Sequence, residues 1–146
     1  MTPGGIPSAA APSPLATRAV YSFTGFSTVP ERHLYLHHDG YPAGAAFRFA
    51  AAQRIAADAS SFLAAFLSTQ RQAESLASPE QAADAEYHYG VRLLFGSDPF
   101  LEVQCWRRRP GGAAWIPRCG PMPMEAFLQS FLPADQRRAA TESGPC

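Results

Sequence analysis

Hydrophobic and polar positions change period several times along the chain, and each change marks an element. In AVYSFTG, residues 19–25, Val20 and Ser22 point one way and Tyr21 and Phe23 the other, which predicts a strand. FSTVPER reads as a loop. HLYLHHD, 33–39, predicts a second strand, with Leu34 and Leu36 on one face and His33, Tyr35 and His37 on the other. The two strands form an expected hairpin. From Ala43 to about Ala57 the chain is rich in Ala and lacks Pro, which favours helix. Phe47, Ala51 and Ile55 recur at i, i+4 and i+8, so this spacing assigns them to the core.

A second helical run, DASSFLAAFLSTQRQAESLA, follows, with Asp58 placed to cap it and Phe62, Leu63, Phe66 and Leu67 as its stripe. The two runs are either separate or one helix broken near Asp58. SPEQAAD, 78–84, is a connection with a helical turn begun by Ser78-Pro79-Glu80. EYHYGVRLLF, 86–95, alternates most clearly of all: Tyr87, Tyr89, Val91, Leu93 and Phe95 against Glu86, His88, Gly90 and Arg92. Gly96–Pro99 turns into FLEVQCWRR, with Leu101, Val103 and Cys105 on one face. PGG turns again into AAWIPRC, where Pro117 marks an edge strand. MPMEAFLQSFL, 122–132, predicts a last helix buried through Met124, Phe127, Leu128 and Phe131.

The expected order is therefore ββααβββα. It implies an α+β domain with a mainly antiparallel sheet of about five strands and helices packed on one face. The domain is expected over residues 19–133, between a Pro/Ala-rich disordered tail, 1–18, and a polar one, 134–146.

Composition narrows the classes. Hydrophobic residues make up 47% of the 146, enough for a real core. Twelve basic and twelve acidic residues cancel, which disfavours a general nucleic-acid binder. Every basic residue is Arg; with abundant Ala and 14 Pro this reflects GC-rich coding and suggests a bacterial or phage source. Apolar runs fall short of the ~18–20 residues a membrane helix needs, and the N-terminus does not read as a signal peptide, so a cytoplasmic protein without membrane attachment is expected. Cys105, Cys119 and Cys146 make no C-x-x-C pair, so no common zinc site is expected. Cys105 and Cys119 flank one hairpin, where a bridge is geometrically conceivable but disfavoured in a reducing compartment.

Two stretches carry candidate chemistry. The first is HHDGYPAG, residues 37–44. Structurally, a strand must stop and a helix start here. Gly40 suits a tight turn, Pro42 a first helical turn, and Asp39 a cap. Functionally, His37, His38, Asp39, Gly40, Tyr41 and Gly44 would surround a helix N-terminus, where an anion or nucleotide can bind. A metal site would need His37 and Asp39 with His33 or His88. The bend reading is favoured, and no cofactor or metal is assigned. The second stretch is Trp106-Arg107-Arg108-Arg109 with Trp115 across the turn, which joins charge to aromatic surface. It suits an acidic protein partner or phosphates; as a bland hairpin end, its arginines protect an edge strand. Glu86, His88 and Arg92 form a polar row on one strand face. No catalytic set is apparent: there is no Lys for a Schiff base or P-loop, and Ser60 and Ser61 lack the G-x-S-x-G turn.

The letters DGYP invite comparison with the HD-GYP phosphodiesterases, but the spacing is compressed and the remaining ligands of that motif are missing. The run Tyr35-Leu-His37-His-Asp39-Gly40-Tyr41-Pro42-Ala-Gly44 instead resembles a Y-x-H-x-D-G-Y-P-x-G pattern of small phage and prophage proteins. There, too, a Tyr-rich strand follows the helices, as Tyr87 and Tyr89 do, and a Gly with an acidic-aromatic pair opens a last helix, as Gly120, Glu125 and Phe127 would. His38 stands where that group often has Trp. The resemblance implies a mobile-element origin and no established activity, though such small proteins often inhibit host defence by binding. Together with the absence of a catalytic set it leads to the expectation of a non-enzymatic binding protein that covers a host protein or nucleoprotein complex. The alternative is a phosphate- or nucleotide-binding protein, or a metal-dependent phosphohydrolase, using the His37–Gly44 turn.

Overall fold

A computed structural model describes residues 17–27, 30–109, 112 and 114–133. The strands are β1 (Ala19–Thr24), β2 (Glu31–Leu36), β3 (Glu74–Leu76), β4 (Tyr87–Phe95), β5 (Pro99–Arg107) and β6 (Ile116–Pro123). The helices are α1 (Pro42–Ile55), α2 (Phe62–Thr69) and α3 (Met124–Phe131). Short 3₁₀ turns stand at Ala59–Ser61 and Pro79–Gln81.

The α+β class holds, with helices on one face, but the sheet has six strands among the described residues and is mixed. Its order is β3-β2-β1-β4-β5-β6. β1 pairs with β2 antiparallel and with β4 parallel. The reason lies in β1 itself: Ala19–Phe23 are all buried, so this strand needs a partner on both edges and cover on both faces. The chain covers one face with α1 and α2, then crosses the other through residues 77–86 and inserts β4 along the second edge of β1.

β3 was not expected. Residues 70–77 were read as helix, yet α2 stops at Thr69. The hydroxyls of Ser68 and Thr69 bond back to the Ala65 carbonyl, and the polar run that follows has no stripe to bury. Leu76 settles opposite His33 instead. The break near Asp58 is real: its side chain accepts the Ser61 N–H while Ser61 caps in return.

The main core lies between sheet and helices. Phe49 meets Tyr21 at 5.8 Å and Phe127 at 5.6 Å, and Phe66 meets Phe23 at 5.0 Å. Phe62, Leu63 and Phe66 face inward as expected, as do Met124, Phe127 and Leu128. Phe47 and Ile55 do not: they are 52% and 58% exposed. In a helix this rich in Ala the i, i+4 rule fits several faces at once. The buried one is Ala45, Arg48, Phe49 and Ala52, where the Phe49 ring meets the rings of Tyr21, Phe62, Phe66, Tyr89 and Phe127. Phe95 is also exposed, because β4 outruns the helices there.

β2 begins two residues earlier than expected and ends at Leu36, so His37 and His38 fall in a bend rather than a strand. β6 begins later and runs on to Pro123 as an edge strand, as Pro117 indicated. The expected tails lie outside the described residues over 1–16 and 134–146, as do Pro110 and Gly111 of the expected turn. Thr17 and Arg18, assigned to the first tail, belong to the fold: their carbonyls accept the N–H groups of Gly40 and Glu86, each at 2.9 Å.

Candidate functional site

The bend between β2 and α1 is built from backbone contacts. Asp39 sits at φ +53°, a conformation Asp tolerates better than most residues. Gly40 passes so close to the Thr17–Ala19 backbone that a Cβ would meet the Ala19 Cβ at 2.8 Å. A Cβ at Gly44 would run into the Asp39 carbonyl. Tyr89 donates its hydroxyl to the Gly40 carbonyl at 2.6 Å from within the core. Both glycines and the tyrosine of β4 thus hold the turn in place.

The side chains of the bend diverge. His37 bonds Glu74 at 2.9 Å and packs on Tyr35. His38 is exposed. The Asp39 carboxylate accepts the Tyr41 hydroxyl at 3.1 Å. His37 and Asp39 are therefore committed to different partners. Among the described residues no group of three or more His, Cys, Asp or Glu is placed to hold a metal ion.

Behind the bend lies Arg48, which the sequence reading passed over. Its Nη1 donates to the Asp39 carbonyl at 3.0 Å and its Nε to Gln70 Oε1 at 3.0 Å. Asp39, Tyr41, Gly44, Phe47, Arg48 and Gln70 line a cavity of about 380 Å³ there. A signal was present: Arg48 lies three residues after Ala45 and four before Ala52, on the face that α1 buries.

The second candidate stretch is split by strand alternation and burial. Arg107 and Arg109 are exposed, whereas Arg108 is buried and donates to the Ala85 and Ala82 carbonyls. Its guanidinium lies 4.1 Å from the Trp115 ring centroid. Trp106 covers Gly90. His88 packs against both indoles, at 4.9 Å from Trp106 and 5.4 Å from Trp115. Both tryptophans thus already have ring neighbours. Beside them Arg107, Arg108, Arg109 and Arg118 surround a cleft of about 710 Å³ floored by Ile116 and Pro117. Arg107 pairs with Glu86 at 2.7 Å; among the described residues no carboxylate is paired with the other three.

Glu86, His88 and Arg92, the polar row, take separate partners: Arg107, Ser22 and Glu102. The link to Ser22 belongs to a chain that only the register reveals. Ser22 stands opposite His33 in β2 and beside Gly90 in β4, two residues along the same strand from His88. Its hydroxyl lies 2.7 Å from His33 Nδ1 and 2.8 Å from His88 Nε2, and His33 Nε2 lies 2.9 Å from Glu31. The carboxylate can only accept, so with a neutral His33 the proton sits on Nε2, Ser22 donates to Nδ1, and His88 donates to Ser22. Burial first, then the nearby His33, push the His88 imidazole down to about 4. Ser22 and His33 are each 8% exposed, whereas the Glu31 carboxylate at the end of the chain is open to solvent.

Cys105 and Cys119 are both free thiols, aligned opposite each other in β5 and β6. Burial, followed by Cys119, pushes the Cys105 thiol up to about 12, so it stays protonated and unreactive. No described helix is long and apolar enough to cross a membrane.

The chain matches no protein-family model, no curated protein and no solved structure.

Proposed function

We infer that the chain is a binding protein that acts by covering an acidic surface of a host protein or nucleoprotein complex with the arginine-lined end of β5 and β6. One observation carries the reading. Four of the twelve arginines of a chain with zero net charge surround one cleft, and Glu86 alone is paired there among the described residues. Such a concentration creates a local positive field that steers and selects acidic partners. Ile116, 61% exposed on the cleft floor, adds apolar area that a partner would cover. The likeness of the decapeptide to phage and prophage proteins points to a host target and to inhibition of a defence system as the outcome.

The test is capture from bacterial lysate with the full chain as bait, beside the charge-reversed variant Arg109→Glu/Arg118→Glu. The expected result is a partner retained at low salt, released as salt rises, and lost with the variant. Retention of nothing by the wild-type chain, or turnover of a phosphoester substrate by it, would overturn the reading.

A further inference from the structure

We propose that the cavity behind the Asp39–Gly44 bend is a second binding site, for a small molecule that joins a carboxylate or phosphate to an apolar body. The proposal is independent of the arginine-lined cleft.

Arg48 is 8% exposed, so its charge is almost wholly removed from water. A buried ion is strongly disfavoured unless an opposite charge compensates it. No Asp or Glu oxygen of the described residues lies within the 4.0 Å of an ion pair with Arg48. Its hydrogen-bond partners are neutral: Gln70 Oε1 at 3.0 Å, the Asp39 carbonyl at 3.0 Å and the Tyr21 hydroxyl at 3.4 Å. They occupy Nε and Nη1, and among the described residues no acceptor takes the two N–H groups of Nη2. Gln70, 9% exposed, gives its oxygen to Arg48, and among the described residues no acceptor takes its amide N–H groups, which are further buried donors.

These donors belong to side chains that line the same cavity of about 380 Å³, within the size range of small-ligand pockets. The three contacts on Arg48 fix the guanidinium before any ligand arrives, which limits the ordering cost of binding. A planar carboxylate or a phosphate oxygen is the group that two spare guanidinium N–H donors recognise best. Phe47 supplies the apolar wall: this ring lines the cavity yet is 52% exposed, although its spacing had assigned it to the core. Asp39 also lines the cavity, and its negative charge opposes the ligand.

The experiment titrates the full chain in low-chloride buffer with three probes: inorganic phosphate, phenyl phosphate and benzoate. It follows the thermal midpoint and the backbone amide resonances. The expected result is a saturable rise in the midpoint, with the largest resonance shifts at Gly44, Phe47 and Gln70. Asp39→Asn keeps a residue that tolerates the left-handed turn and should tighten all three probes. Phe47→Ser, at an exposed position, should weaken phenyl phosphate and benzoate and spare inorganic phosphate. Arg48→Gln should abolish saturable binding, while Arg109→Glu/Arg118→Glu should retain it. The proposal is overturned by the absence of a saturable response to all three probes. It is also overturned by binding that ignores both Asp39→Asn and Phe47→Ser, or that disappears with the arginine-cleft variant. Phosphate binding alone would mark the phosphate source of the oxyanion; benzoate binding alone would mark the carboxylate source.

Discussion

The two faces of the sheet solve the same problem with different chemistry. The helix-covered face is closed by rings: Tyr21, Phe23 and Tyr89 from the strands, Phe49, Phe62, Phe66 and Phe127 from the helices. The opposite face has a small apolar cluster of Val20, Tyr35, Ala82 and Ala85. Around it, polar side chains satisfy one another: Ser22 between His33 and His88, Tyr35 on Asp84 at 2.5 Å, and Arg108 on carbonyls and Trp115. Apolar burial is insensitive to pH and tolerant of small errors in geometry. A hydrogen-bonded chain depends on each proton and each partner. The first face should therefore set stability at all pH values, and the second should make it conditional.

The largest effect should come from the ring face. Phe49 is fully buried and touches the rings of Tyr21, Phe62, Phe66, Tyr89 and Phe127. Phe49→Ala is expected to cost about 3–5 kcal/mol in urea unfolding; a loss below about 1 kcal/mol would show that the helices are not packed on this face as described.

Next comes the response to acid, which belongs to the polar face. His88 is neutral in the folded chain down to about pH 4, whereas a free imidazole takes up its proton near 6.5. Between those values the unfolded chain binds the extra proton. The His88 contribution is therefore fully present above pH 6.5 and lost as pH falls towards 4, on the order of 3 kcal/mol over the interval. Unfolding of the wild-type chain should show this loss, and His88→Gln, which can still donate to Ser22, should flatten it. Identical pH profiles for the two proteins would remove His88 from the account.

A smaller change tests the hydroxyl itself. Ser22→Ala leaves His33 Nδ1 and the His88 N–H without their common partner, and should cost about 1–3 kcal/mol at neutral pH. If stability stays at the wild-type value, water or a rotated imidazole replaces the hydroxyl, and the chain is not cooperative.

The smallest effect is expected at the cleft. Arg109 and Arg118 are exposed and take no carboxylate partner among the described residues, so Arg109→Ala/Arg118→Ala should change stability by less than about 0.5 kcal/mol while weakening partner capture. A large drop in thermal midpoint would instead make these arginines part of the fold.

Much of this was legible in the chain. The alternation of β4 and β5 set their inward faces, because a strand with one covered side must segregate its residues at period two. Pro117 marked an edge strand because it cannot donate to a neighbour. Asp58 marked the helix break through its capping geometry. Gly40 was tied to the turn through a positive φ, but its φ is not positive and it is required because a Cβ would meet the Ala19 Cβ. Gly44, read as leaving the backbone open to a ligand, is required because a Cβ would strike the Asp39 carbonyl. The two candidate stretches were named residue by residue, but their immediate surroundings were not. Arg48 and Gln70 are 22 positions apart, and Ser22 and His88 are 66 apart.

Local pattern, then, determined most of the segments that become strands or helices, because those choices depend on neighbours within a few residues; it missed β3 and the end of β2. Tertiary structure alone decided that β1 sits at the centre with a parallel partner, that α1 buries Arg48 rather than Phe47, and that Arg108 is inside while Arg109 is outside. An Ala-rich helix presents nearly equivalent faces, and a central strand accepts partners on either edge. Such choices are made by which large side chains close the core together, and that sum is taken over residues far apart in the chain.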